Sequence, residues 1–372
     1  MKPQPKTLKI LGTRGIPARH GGFETFAEEL AKHLSKQGWK VIVYCQVTRF
    51  DKHDNLNFQG VELVKIYSPF DGSIGTMIFD LKVAFKACFG EGILLTLGYN
   101  TAVFNIINRI VGQVNIINMD GIEWRREKWS KLAKLWFLLN ERIAVNVGNH
   151  LIADHPEIAK HLYRRCSNKK VTVIPYGSDL VDRADESLLN SLGLKANNFS
   201  VIIARPEPEN SFLEMVRTFS KNKRNHKLVV LGDFRPELFE YDKSVIDVAS
   251  NEVIFPGAIY DAPVVKALRF YSRFYLHGHK VGGTNPSLVE AMGAGCSIIA
   301  HDNVFNRWVA GDAAYYFNSE VHLDSLLDRL LGVNFSRKEM KYASISRFRK
   351  HFTWYNILKQ YEELLLQWYP NK

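Results

Sequence analysis

A chain of 372 residues is long enough for two domains of ordinary size. Hydrophobic residues make up 46% and charged residues 23%, which excludes a disordered chain and supplies two sizeable cores. The 49 Lys and Arg against 38 Asp and Glu give a formal charge of +11, a balance that attracts nucleic acid, anionic lipid or phosphorylated small molecules without choosing among them.

The spacing predicts a strand over Leu8–Leu11, a glycine-rich loop over Gly12–Gly22, and an amphipathic helix over Phe23–Gln37 closed by Gly38. Strands follow at Lys40–Cys45, Val61–Ile66 and Ile93–Leu97. A buried helix is expected from Thr101 to Val111, because Gly98, Asn100, Asn105 and Asn108 interrupt an uncharged stretch too broken to span a membrane. Val114–Asn118, Leu151–Ala153 and Val171–Ile174 complete the first half. The polar and charged stretch Asp179–Ala196 reads as a connecting region.

The pattern then restarts. Strands are expected at Ser200–Ala204, Leu228–Leu231, Val253–Phe255, Phe274–Leu276 and Ser297–Ala300, with helices at Ser211–Phe219, Ala262–Tyr271 and Pro286–Met292. Trp354–Trp368 has apolar residues at helical spacing and is suited to packing across both domains. Such alternation implies two doubly wound, mostly parallel sheets. Cys45, Cys88, Cys166 and Cys296 form no C-x-x-C pair, so no zinc site or disulfide framework is expected and a reducing compartment fits. The polar segment before Leu8 is not expected to be a secretory signal.

In open α/β sheets, ligands gather beyond the carboxyl ends of strands, and the informative residues fall on those loops. Gly21-Gly22 at a helix start lets backbone N–H groups approach an anion, and Arg14 and Arg19 add positive charge. A dinucleotide fingerprint from Gly12 fails, since Arg14 and Pro17 stand where glycines are required. The bland alternative is a tight strand–helix turn. Arg205, after a strand, offers a planar fork of donors to a diphosphate, and Asn210 or Ser211 is placed to cap the helix that follows. In His277–Met292, the Gly282-Gly283-Thr284-Asn285 turn can expose several N–H groups before Pro286. His279 and Lys280 can meet phosphate oxygens, and Glu290 can accept bonds from a nucleoside sugar. The rival reading pairs Glu290 with a neighbouring arginine.

Asp120, just past a strand, can orient a sugar hydroxyl, help activate an acceptor, or simply cap a helix. Beyond it, Trp124, Arg125, Arg126, Lys128, Trp129, Lys131, Lys134 and Trp136 mix aromatic and basic character. Trp129, Leu132, Trp136, Leu139 and Ile143 step by three and four, so this helix can lie on a membrane surface or form a core helix with a solvated basic face.

These motifs together resemble the retaining family-4 glycosyltransferases of GT-B fold, in particular the bacterial β1,4-rhamnosyltransferase-like branch. The matching pieces are Gly12-Thr-Arg-Gly-Ile-Pro with Gly21-Gly-Phe-Glu-Thr, Asp120-Gly-Ile-Glu-Trp with Lys128-Trp-Ser, Ile174-Pro-Tyr-Gly-Ser-Asp179, Arg205-Pro-Glu-Pro-Glu-Asn, and His277 through Met292. The resemblance implies two Rossmann-like domains facing a central cleft: residues 1–180 for the acceptor, 181–352 for the nucleotide-sugar donor, and 353–372 as a helix crossing back to the first. It also implies a donor diphosphate gripped by Arg205 and the Gly282–Asn285 turn, with Glu290 on the nucleoside sugar and Gly21-Gly22 closing over it. No metal or other cofactor is expected; the co-substrate would be dTDP-rhamnose. The expected partner is a lipid-linked, undecaprenyl-type acceptor in capsule or O-antigen assembly, on the cytoplasmic face of the membrane, with no role for nucleic acid. Electrostatic stabilisation of the departing diphosphate would be the largest catalytic effect.

Two departures stand out. Gly282 replaces the first acid of the family's Glu-x7-Glu, and Asn210 stands where a lysine is usual. Asp120 and His279 are then the candidates for contacting the sugar. A UDP- or GDP-hexose donor, a nucleotide-sugar epimerase, and a non-catalytic member of a polysaccharide assembly complex are the competing readings.

Overall fold

A computed structural model of the chain describes residues 5–18, 21–49, 56–70, 72–332 and 336–370. The chain forms two compact units, Met1–Tyr176 with Trp354–Lys372, and Gly177–Thr353.

In chain order the first unit contains β1 (Thr7–Leu11), α1 (Gly22–Lys36), β2 (Lys40–Val47), β3 (Asn57–Phe58), β4 (Val61–Tyr67), α2 (Gly72–Ala87) and β5 (Ile93–Leu97). It continues with α3 (Asn105–Ile110), β6 (Asn115–Asn118), α4 (Lys131–Val147), β7 (His150–Ala153), α5 (Pro156–Tyr163) and β8 (Val171–Val173). The strands run β3-β4-β2-β1-β5-β6-β7-β8, parallel throughout except for the short β3.

Strand alternation explains the continuous apolar runs. Ile93, Leu95 and Leu97 of β5 enter the core beneath α1, while Leu94 between them enters the core beneath α2. A strand covered on both faces has no polar side to show.

The second unit holds β9 (Phe199–Ile203), α6 (Phe212–Ser220), β10 (Lys227–Leu231), α7 (Glu240–Asp247), β11 (Val253–Gly257), α8 (Ala262–Tyr271) and β12 (Tyr275–His277). It closes with α9 (Pro286–Gly293), β13 (Ile298–His301), α10 (Val304–Ala310), β14 (Ala314–Phe317), α11 (Glu320–Leu331) and α12 (Lys338–His351). Its sheet, all parallel, runs β11-β10-β9-β12-β13-β14. Here too Val229 and Leu231 face one core, and Leu228 and Val230 the other.

The chain then returns to the first unit as α13 (Trp354–Trp368). Trp354, Ile357, Leu358, Tyr361, Leu364 and Leu365 join the core shared with α1. Their three- and four-residue steps make one helical stripe.

Two expectations need correction. Asp179–Ala196 is not a bare connector: Leu189 and Leu194 are buried in the second unit's core, and Asp185 caps the 3-10 turn Glu186–Leu192. Leu188 and Leu192, partly buried, pack against the same core and help anchor it. The helix expected at Thr101–Val111 is a 3-10 turn, Ala102–Phe104, followed by the short α3. Its end is not buried, for Ile110 is 78% exposed. Among the described residues, no helix is long and apolar enough to cross a membrane.

Candidate active site

Each sheet has one place where successive connections depart in opposite directions, and the adjoining strand ends leave a crevice there. In the first unit it lies between β1 and β5, in the second between β9 and β12. The loops that leave these strands carry most of the residues singled out by sequence.

In the first unit, Gly12 has φ +76°, and a Cβ there would lie 2.2 Å from the carbonyl oxygen of Leu97. This glycine lets the β1 loop pass against β5. Gly21 is different. Its backbone is extended, a Cβ would meet nothing, and it stands at the N-cap of α1 with no side chain to cap the helix. Gly22 is the first residue of that helix. The N-cap residue therefore takes none of the helix N–H groups with a side chain of its own. Arg19 lies outside the described residues.

Asp120 follows β6 in the same unit. It has φ +51°, a left-handed conformation uncommon for a residue with a side chain. Asn118 holds the turn on both sides: its Oδ1 accepts the Asp120 N–H at 3.0 Å, and its Nδ2 donates to the Tyr361 hydroxyl on α13 at 2.8 Å. Sequence reading missed Asn118 and Tyr361 as supports for this turn. The repeated asparagine at a strand end was the available signal for Asn118, and Tyr361 had none.

In the second unit the Arg205 loop and the His277–Asn285 loop are tied together. Gly278 approaches so closely that a Cβ would sit 2.2 Å from the Asn210 carbonyl oxygen. The Ser211 hydroxyl donates to the Gly278 carbonyl at 2.8 Å, and the Lys280 N–H donates to the Glu209 carbonyl at 2.9 Å. Neither Asn210 nor Ser211 caps α6 through its side chain. Asn210 donates instead to the Arg205 carbonyl at 2.9 Å, and Ser211 turns left-handed at φ +56° to reach Gly278. Arg205 itself is exposed, with its guanidinium 3.8 Å from Glu207.

His279 stacks on His277, ring centroids 4.3 Å apart and nearly parallel. Burial pushes His277 down to about 3, so it is a neutral ring at physiological pH. Asn303 and Asn306, at the start of α10, both donate to the His279 carbonyl at 2.9 Å. Lys280 is engaged by Glu214 at 2.8 Å, an ion pair open to solvent. Gly282 has φ +140° with open space where a Cβ would be. A residue with a side chain at this position would meet backbone strain. Gly283 is half-buried beside it and Thr284 is buried. Asn285 caps α9, accepting the Ser287 N–H at 3.0 Å. The Ser287 N–H at the start of α9 is therefore already satisfied.

Glu290, one turn into α9, is paired with Arg269 at 2.5 Å, the partner that the rival reading foresaw. Burial, the largest single effect, works against the Arg269 charge, and Glu290, Tyr275 and Cys296 together more than offset it and raise the guanidinium's pKa. The pair fixes one carboxylate oxygen, while the Glu290 side chain remains a third exposed. Arg269 was invisible from sequence, since nothing in α8 marks it.

The structure also redirects the basic aromatic segment. The Trp124 and Trp129 indole N–H groups donate to the buried acids Glu141 at 2.9 Å and Glu123 at 3.1 Å, and the Trp136 indole donates to the carbonyl of the exposed Asn100 at 2.9 Å. Arg126 pairs with Glu123, Arg125 lies over the Trp124 ring, and Lys128 over the Trp129 ring. An indole N–H seeks an acceptor, and the buried acids Glu123 and Glu141 supply two. Lys131 is exposed and Lys134 half-buried. The exposed large apolar residues of α4 are Leu132, Leu135 and Leu139.

Residues 5–179 match a family model described as a domain of unknown function, DUF1972. No curated protein matches the chain. Solved structures match it almost from end to end. Sucrose-phosphate synthase from Thermosynechococcus elongatus superposes with a TM-score of 0.82 at 16% identity, covering 97% of this chain and 98% of that one. Anabaena Alr3699/HepE, solved with UDP and glucose, gives 0.77 at 16% identity, covering 97% and 99%. The fold is GT-B. WaaG, a glycosyltransferase involved in lipopolysaccharide biosynthesis, shares this GT-B likeness at a TM-score of 0.71 and 14% identity, covering 96% and 99%. Gly21, Gly22 and Asp120 belong to the first unit of the GT-B chain; Arg205, His279, Lys280, Gly282–Asn285 and Glu290 belong to the second.

Proposed function

We propose that the protein is a glycosyltransferase that binds a nucleotide-sugar donor on its second unit and passes the sugar to a lipid-linked saccharide at a membrane. The observation that carries this reading is the joining of the Arg205 and His277–Asn285 loops at the β9–β12 crevice, with Glu290 just behind them. Arg205 gives the diphosphate a charged fork, and the Gly282–Thr284 backbone lies beside it on the tied loop. Glu290, its carboxylate oriented by Arg269, uses its remaining oxygen for the nucleoside sugar hydroxyls. Lys280 reaches the phosphate by exchanging Glu214 for it, an inexpensive exchange for a solvent-exposed pair.

Asp120 and His279 are the groups proposed to meet the sugars. The charge of the departing diphosphate is balanced by protein cations without a metal. The sugar is L-rhamnose from dTDP-rhamnose, transferred with retention in the assembly of capsule or O-antigen on the cytoplasmic face of the membrane. Support for the sugar and the acceptor is the motif resemblance; support for nucleotide-sugar chemistry is the GT-B fold together with HepE's complex with UDP and glucose.

Titration calorimetry with dTDP, UDP and GDP tests the nucleotide step, and dTDP is expected to bind most tightly. Binding of none of the three refutes the reading. A donor screen with a lipid-linked acceptor, read by mass spectrometry, then identifies the sugar; product formed from donor alone would point to an epimerase.

A further inference from the structure

The helices α2, α3 and α4 cover one face of the first sheet. Their inner side is apolar, as the burial of Phe79, Val83 and Ala87 of α2 shows. Their outer side is apolar too. Ile74, Leu81, Phe85 and, just beyond α2, Phe89 are exposed at the spacing of one helical stripe. Ile110 ends α3 in solvent, and α4 turns out Leu132, which is 81% exposed, with Leu135 and Leu139 behind it. The three helices adjoin in the order α2, α3, α4. Along α2 lies a groove of about 720 Å³, lined by Lys82, Phe85, Lys86 and Phe89, by Lys65 of β4 and by Ile107 of α3. A set of exposed apolar side chains this extended is unusual on a surface that meets only water.

The charges on these helices have one sign. The exposed ones are Lys82, Lys86, Arg109, Lys131 and Arg142. The two acids are turned away: Asp80 accepts the Thr101 hydroxyl, and Glu141 is buried with His161 and Arg165. A second copy of the chain would bring this positive face against itself, which costs energy. A surface of phosphates satisfies both characters at once.

We propose that the outer face of α2, α3 and α4 docks on an anionic phospholipid bilayer, with Phe85, Phe89, Ile110 and Leu132 entering the boundary between headgroups and acyl chains and the basic residues meeting phosphates. The anchors are thus leucine, isoleucine and phenylalanine, while the tryptophan indole N–H groups are taken by acceptors within the first unit. The proposal deepens the membrane partner in the function above, and its test reads separately from nucleotide binding.

The full chain is floated with vesicles of phosphatidylcholine alone or mixed with phosphatidylglycerol. It should rise with the mixed vesicles and be released by added salt. Phe85→Ser with Leu132→Ser should weaken the association at least about tenfold, from the apolar area lost. Lys82→Glu with Lys86→Glu should weaken it about fivefold or more per lysine. Val321→Ser, at an exposed site on the second unit, should change nothing. Every substituted side chain is exposed, and melting curves and dTDP calorimetry should match the parent throughout. Absence of flotation with anionic vesicles, or equal flotation by parent and variants, overturns the proposal. So does a vesicle-free dimer, seen by sedimentation, that Phe85→Ser with Leu132→Ser dissolves. Loss of dTDP binding with flotation intact would refute the nucleotide reading and leave this one standing.

Discussion

Gly21-Gly22 at the start of α1 and Gly282-Gly283 shortly before α9 are the same two letters near a helix N-terminus, yet the surfaces they build differ. At α1 the N-cap is a glycine that brings no side chain to the helix start. At α9 the N-cap is Asn285, whose side chain occupies a helix N–H, and the neighbouring Lys280 and Glu290 are already paired. The first resembles an open hand, the second a hand holding its own fingers. A glycine doublet therefore predicts backbone approach but not vacancy; the residue at the N-cap decides that.

The sharpest way to break this comparison is at the glycines themselves. Gly12→Ala and Gly278→Ala each place a methyl group 2.2 Å from a carbonyl oxygen, so each should destabilise its own unit by more than ~2 kcal/mol. Gly21→Ala, with nothing to strike, should cost no more than ~1 kcal/mol. Thermal melts of the three variants check the ranking, and equal losses would show that the loops are not packed as described.

A smaller effect separates a binding residue from a structural pair. Glu290→Ala strands the buried Arg269 charge and should cost about 2 kcal/mol of stability as well as nucleotide affinity. Arg205→Ala removes an exposed side chain. It should leave the melt unchanged while weakening dTDP binding about tenfold or more, read by calorimetry.

The two units should also differ in acid. Burial depresses His226 to about 4 and His277 to about 3, and His301 and His351 are lowered as well, all in the second unit. A histidine depressed in the folded state binds its proton more readily when unfolded. Its contribution is full above about pH 6.5 and is lost as the pH falls toward the folded value. In the first unit His150, depressed by burial to about 4, acts the same way, but Asp80, raised by burial to about 6, opposes it, because its folded form takes up a proton first. Lowering the pH from 7 to 5 should therefore weaken the second unit more than the first. Hydrogen exchange followed unit by unit checks the difference.

The architecture was legible because parallel strands covered on both faces read as uninterrupted apolar runs, such as Ile93–Leu97, and because Trp354–Trp368 carries a full helical stripe. The loops at the strand ends were legible from Gly, Arg and Asn. What stayed hidden was pairing across the sequence. Arg269 reaches Glu290 from another helix, Glu214 takes Lys280, and Tyr361 meets Asn118 from more than two hundred residues away. The direction of the tryptophans was hidden for the same reason. Helical spacing put Trp129, Leu132 and Trp136 on one stripe, and only the acceptors reveal that the Trp129 indole turns to the buried Glu123 and the Trp136 indole to the Asn100 carbonyl while Leu132 stands in solvent.

The return of α13 to the first unit has a consequence for synthesis. Trp354, Ile357, Leu358, Tyr361, Leu364 and Leu365 belong to the core beneath α1, so that core cannot close until the ribosome has passed through the whole of Gly177–Thr353. The second unit is contiguous and can fold as it emerges. The unit made first is thus the one finished last, and its exposed apolar strands must wait, for the length of an entire second domain, for the helix that covers them.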